Sequence, residues 1–455
     1  MTNSSQPERL LTRTQLGWRD PVDAFAPLKD TPFALLLNGG SGRWSYICAN
    51  PMRTLHVAAA DGPGDLDVAR DAMASMPFKR PEDAPPFCGG WAGLFSYEYG
   101  RALLPKLGDG ADRDAWPDIA LGLYNELIAF DHDTQRVEHC YWRWDDNKDP
   151  KLLGLFGEPN SDAALNSPLA TTVTARLPRA EYEARLARTV DYVHAGDCFQ
   201  SNISQRFDFE LNAGAHPFDL TRRLATSSRA PFSAYFRLPG LALASNSPER
   251  FLQIAVQQDG ALRAITQPIK GTRPRGQTEA EDHALANELL SSEKDLAENL
   301  MIVDLMRNDL SRISTPGSVH VPKLQALETY ANVHHLVSTI EATLAPGRDA
   351  FDVIKAAFPG GSVTGAPKIR AMQIIEELED EARGPYCGSL AWISPDGAMD
   401  SSILIRTVAF EEAEDGGWRG HFRSGGGIVA DSVPAEEYIE TLDKARAIRA
   451  ALEQE

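Results

Sequence analysis

Two stretches of helical spacing carry carboxylates where a helix would normally bury apolar side chains. In SSEKDLAENLMIVDLMRNDLSRI, Glu298 shares a face with Met301, Ile302 and Leu305, and Asp295 lies one turn earlier. A carboxylate on an apolar face must be paired, protonated or bound to a cation; the plainer reading is a salt bridge to Lys294 or Arg307. In VPAEEYIETLDKARAI, Glu437, Glu440, Thr441 and Lys444 form a second stripe beside Tyr438, Leu442 and Ala445. Carboxylates one turn apart repel unless a cation lies between them, although acids also favour a solvated helix start. Glu298 and Glu437, offered by two helices, suit a hard divalent ion such as Mg²⁺, which takes few protein carboxylates and completes its shell with water and substrate oxygens.

Two glycine-rich loops accompany these helices. PGGSVTGAPK, residues 359–368, opens a helix whose N-terminal amides favour anions. It is no P-loop, because Ala366-Pro367 stand where Lys-Ser/Thr would be needed. SGGGIVADS, residues 424–432, has three consecutive glycines that let the backbone approach a ligand. With Arg406 in SSILIRTVAF, the loops suggest a pocket for a carboxylate-bearing ligand, although each loop alone reads more readily as a tight turn. A further cationic turn, ITQPIKGTRPRG, places Lys270 at a strand-to-turn junction. By composition it is a surface charge, an anion ligand or a nucleophile.

The whole chain constrains these choices. Its net charge of −19 over 455 residues argues against nucleic acid, which requires a basic face. Five cysteines without a CxxC pair argue against a disulfide framework. The N-terminus has no apolar signal core and the apolar runs are too short to span a membrane, so the expected location is cytoplasmic. Residues 1–155 read as short strands, among them PFALLLN, TLHVAAA, GLYNELIAFD and EHCYWRW. Residues 156–175 read as a polar linker, and 176–455 as mixed strands and helices, including RAEYEARLARTVDYVHAG, APKIRAMQIIEELEDEA and the C-terminal run. TEAEDHALANELLSSEKDLAENLMIVDLMRNDLSRI reads as one or two helices. Strands and helices come in runs, so the class is α+β.

Taken in order, GDCFQSNISQRF, SPERF, PIKGTRPRG, DLAENLMIVDLMRNDLSRI, VHHLVS, FPGGSVTGAPKIRAM, YCGSLAWI, SSILIRT and SGGGIVADSVPAEEYIET resemble the chorismate-utilising enzymes: anthranilate synthase component I, aminodeoxychorismate synthase component I, isochorismate synthase and salicylate synthase. The resemblance implies a large two-part β-sandwich core flanked by helices, with residues 176–455 as the chorismate-binding catalytic domain. It implies Mg²⁺ on Glu298 and Glu437, with Asp295 and Glu440 supporting, holding the ring carboxylate of chorismate. Glu249 in SPERF matches an acid assisting loss of the 4-hydroxyl, and His335 a histidine near that leaving group. Arg406, Tyr386 and the Gly425, Gly426 and Gly427 amides match positions around the enolpyruvyl side chain. Ser362 faces the substrate and Lys444 reaches toward the ring carboxylate.

Gln200 stands where water-using relatives place a lysine, which implies ammonia as nucleophile. PIKGT, where anthranilate synthases typically read PIAGT, resembles the aminodeoxychorismate synthase subfamily and implies a covalent role for Lys270. Desolvation, with Arg273 and Arg275 nearby, would favour the neutral amine that such a role needs. The ammonia implies a separate glutamine amidotransferase partner, and the product implied is 4-amino-4-deoxychorismate, a precursor of 4-aminobenzoate and folate. Some relatives hold tryptophan in the N-terminal region; in the corresponding LLLNGGSGRWSY Gly39 replaces the usual serine and the loop is short, whereas PFSA matches the other wall, which leaves that binding open.

Overall fold

The computed structural model describes residues 11–40, 42–57, 65–74, 76, 78–104, 107, 115–143, 150–155, 167–330 and 333–453. Two large antiparallel sheets dominate, one of twelve strands and one of ten. The first passes through Leu11–Leu16, Arg136–Trp142, Glu126–Asp131, Trp44–Cys48, Leu35–Asn38, Phe232–Leu238, Leu241–Ser247, Thr407–Glu412, Trp418–Ile428, Gln200–Glu210 and Gly365–Ala366. The second passes through Ile269–Pro274, Val333–Thr343, Leu262–Thr266, Arg250–Val256, Met399–Ile403, Ser389–Ile393, Gly90–Phe95, Ile119–Tyr124 and Arg53–Val57. Each sheet mixes early and late strands: Leu35–Asn38 pairs with Phe232–Leu238, and Gly90–Phe95 with Ser389–Ile393.

Burial of both faces explains the near-continuous apolar strands. Between the sheets, Leu35, Tyr46 and Leu127 meet Leu94, Tyr124, Leu390 and Trp392 in one cluster. Outside the second sheet, Ile302, Val303 and Met306 of helix Glu293–Ser311 and Phe351 and Ile354 of helix Ala350–Ala357 cover Phe251, Ile254 and Ile340. Outside the first, Phe218 and Leu224 of helix Pro217–Ser227 and Ile448 and Leu452 of helix Pro434–Glu453 cover Phe207, Val408 and Phe422. The layers are therefore helix, sheet, sheet, helix, an α+β sandwich flanked by helices.

Several stretches differ from, or refine, their linear reading. GLYNELIAFD is two strands, not one: Ile119–Tyr124 belongs to the second sheet and Glu126–Asp131 to the first. The long acidic run is two helices, Glu279–Ser291 and Glu293–Ser311, divided at Ser292, whose hydroxyl accepts from Asp295 N at 3.3 Å. Helix Asp65–Ala74 interrupts a region that reads as strands; it buries Leu66 and Ala69. Within 156–175, residues 156–166 lie outside the described residues. Beyond them Leu169 and Ala170 are buried, and their N–H groups donate to the Leu452 carbonyl at 2.7 and 3.1 Å. No helix among the described residues is long and apolar enough to cross a membrane.

A buried charge cluster joins the helix Lys368–Glu379 to the first sheet. The Glu379 carboxylate accepts from Arg383 Nε and Nη2 at 2.9 and 2.6 Å, from Arg423 Nη1 at 3.4 Å, and from Ser204 N and Oγ at 2.8 Å each. Burial pushes this carboxyl up, but the two guanidiniums hold it below its ordinary value. Glu379→Ala, by taking the shared acceptor from two buried guanidiniums, is expected to cost about 3–5 kcal/mol. Urea denaturation would show this as an earlier midpoint, and an unchanged midpoint would contradict the assignment.

Candidate active site

The site begins where the chain changes sheets. Strand Leu241–Ser247 lies in the first sheet and Arg250–Val256 in the second, so Glu249 stands on the crossing between them. The chain returns between Ile403 and Thr407, placing Arg406 on a second crossing with φ at +51°. Backbone bonds tie the two corners: Ile403 N donates to Glu249 O and Asn246 N to Arg406 O, both at 3.0 Å. The Glu249 carboxyl is buried, and Ser362 Oγ donates to its Oε1 at 2.9 Å. Burial raises its pKa; Lys270, the Ser362 hydrogen bond and Arg406 oppose this without cancelling it. A carboxyl held above its usual range beside a cation suits a proton donor.

Lys270 projects from a β-bulge. Ile269 pairs with Val337 and Thr272 with His335, so Lys270 and Gly271 together face one residue, Leu336. Such a bulge re-aims side chains out of the regular alternation. Gly271 enables it with φ at +86°; a Cβ there would lie 2.7 Å from Leu289 Cδ1 and 3.0 Å from Asp295 Cγ. The half-buried Lys270 exerts an attractive charge on Glu249, Glu298 and Glu440 alike, so all three lie within its electrostatic reach. Arg273 and Arg275 have other partners. Arg273 bridges Glu288 at 2.8 Å and Asp295 at 3.2 Å, and Arg275 binds Asp282 at 2.7 Å. Their charges are neutralised locally, so the setting of Lys270 is one of carboxylates rather than of competing cations. His335 Nδ1 lies 2.9 Å from Thr272 Oγ1. Burial, then the Arg406 charge, lower its pKa and favour the neutral ring.

The carboxylates come from two helix starts. Glu298 is half-buried; desolvation raises its pKa, relieved by Lys270 and Lys294 and reinforced by Asp295 and Glu437. Glu437 is buried, accepts from Ser432 Oγ at 2.7 Å, and lies 3.6 Å from Lys294 Nζ. Glu440 pairs with Lys444 at 2.7 Å, and Lys444 also donates to Gly425 O at 3.0 Å. Gly426 leaves room above it: a Cβ there would stand 3.3 Å from Glu437 Oε2, 3.5 Å from Lys444 Nζ and 3.8 Å from Glu440 Oε1. The plain alternatives for Glu298 are partly realised, since Lys294 faces the cluster, whereas Arg307 pairs with Asp304. Among the described residues no three potential ligands already converge on one point. Hard oxygen donors on two facing helices, above a glycine floor, nevertheless fit a Mg²⁺ that takes two carboxylates and leaves its other positions to water or substrate. Glu298 and Glu437 would be those two, since Asp295 is held by Arg273 and Glu440 by Lys444.

The remaining candidates lie around this centre. Tyr386 is buried, its ring 5.6 Å from the Arg383 guanidinium carbon, and Cys387 N donates to Leu404 O at 2.8 Å, tying that turn to the Arg406 corner. Gln200 is wholly buried and neither end of its amide has a partner; Gly427 is pressed against it, a Cβ there falling 2.6 Å from Nε2. The stretches resembling tryptophan-site walls are neighbours in the first sheet, Asn38 pairing with Ser233 and Leu37 with Ala234. Linear spacing gave Lys294 only as a partner for Glu298, and did not signal that it reaches Glu437 on the other helix.

The chorismate binding enzyme family matches residues 32–450. Aminodeoxychorismate synthase component 1 of Salmonella typhimurium is 41% identical over 463 residues, covering 96% of this chain and 97% of that protein. The Escherichia coli protein of the same name is 38% identical, covering 96% and 98%. Anthranilate synthase component 1 of Thermus thermophilus is also 38% identical, covering 95% of each. The crystal structure of anthranilate synthase component I from Streptococcus pneumoniae superposes with a TM-score of 0.76 at 30% identity, over 90% of this chain and 92% of that one. The isochorismate synthase MenF from Escherichia coli shares the fold, with a TM-score of 0.75 at 15% identity over 97% and 94%.

Gly271→Ala is expected to lower thermal stability more than Gly317→Ala. Both positions have positive φ, but only Gly271 has neighbours within reach of a Cβ. Backbone strain alone costs about 1–2 kcal/mol, so the excess over Gly317→Ala in paired melts measures the crowding at the bulge. Equal losses would mean that the bulge is not tightly packed.

Proposed function

Because this chain belongs to the chorismate-binding enzymes, we propose that it aminates chorismate at C4, yielding 4-amino-4-deoxychorismate, with Lys270 as covalent nucleophile. The observation that carries this reading is the lysine in the bulge, within electrostatic reach of Glu249, Glu298 and Glu440. Glu298 and Glu437 would hold Mg²⁺, which supplies a hard Lewis acid for the ring carboxylate. Arg406, Tyr386 and the Gly425–Gly427 backbone would orient the enolpyruvyl side chain, and Ser362 and Lys444 would complete the binding of the ring.

Lys270, once it has given up its proton, attacks C2 of the ring through its amine. The diene shifts, the C4–O bond breaks, and Glu249 gives its proton to the departing hydroxyl, which leaves as water. His335, neutral and beside Arg406, lies on the leaving-group side. Ammonia then attacks C4, the diene shifts back, and the C2–N bond to Lys270 breaks. The ammonium formed at C4 returns a proton to Glu249. One difficult displacement becomes two easier ones, and the sum is chorismate plus ammonia giving aminodeoxychorismate plus water.

The word "component" in the names of the relatives supports a second subunit as ammonia source, a glutamine amidotransferase. The five unpaired, buried cysteines support a reducing, cytoplasmic setting. The product would feed 4-aminobenzoate and hence folate formation. Overall identity separates this reading from anthranilate synthesis only narrowly, at 41% against 38%; Lys270 is what favours amination at C4.

Incubation with chorismate, Mg²⁺ and an ammonium salt is expected to yield a product that a lyase converts to 4-aminobenzoate, with little anthranilate fluorescence. Without ammonia, intact-mass analysis should find a chorismate-derived adduct that Lys270→Ala abolishes. Strong anthranilate formation would defeat the C4 reading. Full activity in Lys270→Ala without any adduct would defeat the covalent step alone. Glu249→Gln should lower turnover about 10²–10⁴-fold.

A further inference from the structure

Lys368 and Asp309 touch none of the groups that act on substrate, yet they form a fully satisfied buried ion pair. Lys368 Nζ donates to Asp309 Oδ2 at 2.7 Å, to Ala357 O at 2.6 Å and to Pro359 O at 2.8 Å. These three bonds use every donor of the ammonium. The other carboxylate oxygen, Asp309 Oδ1, accepts from Arg312 Nη2 at 3.0 Å. Lys368 opens helix Lys368–Glu379, whereas Asp309 belongs to helix Glu293–Ser311, about three turns beyond Glu298. The two carbonyls lie at the entry to the glycine loop that carries Ser362. The loop rests on the same helix: a Cβ on Gly361 would fall 2.6 Å from Leu305 Cδ2. Its far side is held by Arg383 Nη1, which donates to Val363 O at 3.2 Å. Between these two holds stands Ser362, donating to Glu249.

We propose that Lys368 and Asp309 are positioning residues for the catalytic acid: the pair fixes the depth of the loop so that Ser362 Oγ reaches the Glu249 carboxyl and sets the pH at which that acid keeps its proton. This rests on the reading of Glu249 as the acid. The charged groups facing Glu249 are Lys270 from the bulge and Arg406 from the other corner, neither on the loop. A loosened loop therefore removes the Ser362 hydrogen bond while leaving both cations in place. That bond favours the ionised carboxylate, so its loss raises the pKa of the acid. Because the acid works protonated, the fall in turnover with rising pH would move to higher pH.

The test is the pH profile of kcat at saturating chorismate and Mg²⁺, with free ammonia held constant. Asp309→Asn is expected to shift the falling limb upward by about half a unit or more, in the same direction as Ser362→Ala. Combining the two should shift it no further than Ser362→Ala alone. If Asp309→Asn melts earlier but leaves the limb where the unaltered protein has it, or if the two shifts add in full, the pair is only structural and the inference is overturned. Glu249→Gln is the control: a limb that survives in it overturns the acid assignment itself, whereas its disappearance with an unmoved limb in Asp309→Asn overturns the positioning role alone. Should Asp309→Asn fail to fold, the apolar exchange Lys368→Met with Asp309→Leu, of a kind that buried pairs often tolerate, is measured in the same way, and an unshifted limb again overturns the proposal.

Discussion

Everything at the centre of this molecule depends on two adjacent places where the chain leaves one sheet for the other. At Glu249 it passes from the first sheet to the second, and at Arg406 it passes back. The two crossings are bonded backbone to backbone, so a carboxyl and a guanidinium are brought together by main-chain geometry rather than by flexible side chains. Corners of packed sheets are where regular pairing must give way. Here the irregularity is put to use: Glu249 and Arg406, which join neither ladder, stand at the candidate site, and strands on both sides hold them there.

Around that corner the charges are interleaved. The chain carries 64 acidic residues against 45 lysines and arginines, yet the acids of the site are met by Lys270, Lys294, Lys444 and Arg406. Burial pushes Glu249 and Glu298 upward and these cations restrain them. A set of mutually neutralising groups could receive a doubly anionic substrate together with the proposed Mg²⁺ by exchanging partners, since each lysine is already beside the carboxylates whose place the substrate would take. Such exchange requires no net charge to be buried or exposed.

Much of this was legible in the linear sequence, and the reason lies in periodicity. Glu298 and Glu437 stand out because a carboxylate in an apolar helical stripe violates the pattern on both helices. The glycine loops stand out because glycine is needed where another side chain would enter the cavity, as at Gly426. The order of the motifs pointed to the family and to the flanked sandwich. The corners were not legible. A strand buried on both faces reads the same in either sheet, so nothing in GLYNELIAFD or SPERF announces a crossing. The bulge at Lys270 was hidden for a related reason, since it exists only relative to the partner strand Val333–Thr343. The partners of Arg273 and Arg275 lie on helices that follow the strand, and spacing alone suggested a role beside Lys270 that ion pairing with Asp295, Glu288 and Asp282 gives them instead.

The bulge has a consequence for how chemistry can diverge on this scaffold. A residue in a regular ladder is constrained by its opposite number and by the face it must cover. Lys270 is one of two residues set against one, and the turn is made by Gly271, so the identity of the side chain beside that glycine is almost free of structural obligation. Glu249, by contrast, is fixed by burial, by Ser362 and by the corner itself. A sandwich of this kind could thus change the side chain at position 270 by altering a single codon while Glu249, Glu298, Glu437 and the fold stayed as they were.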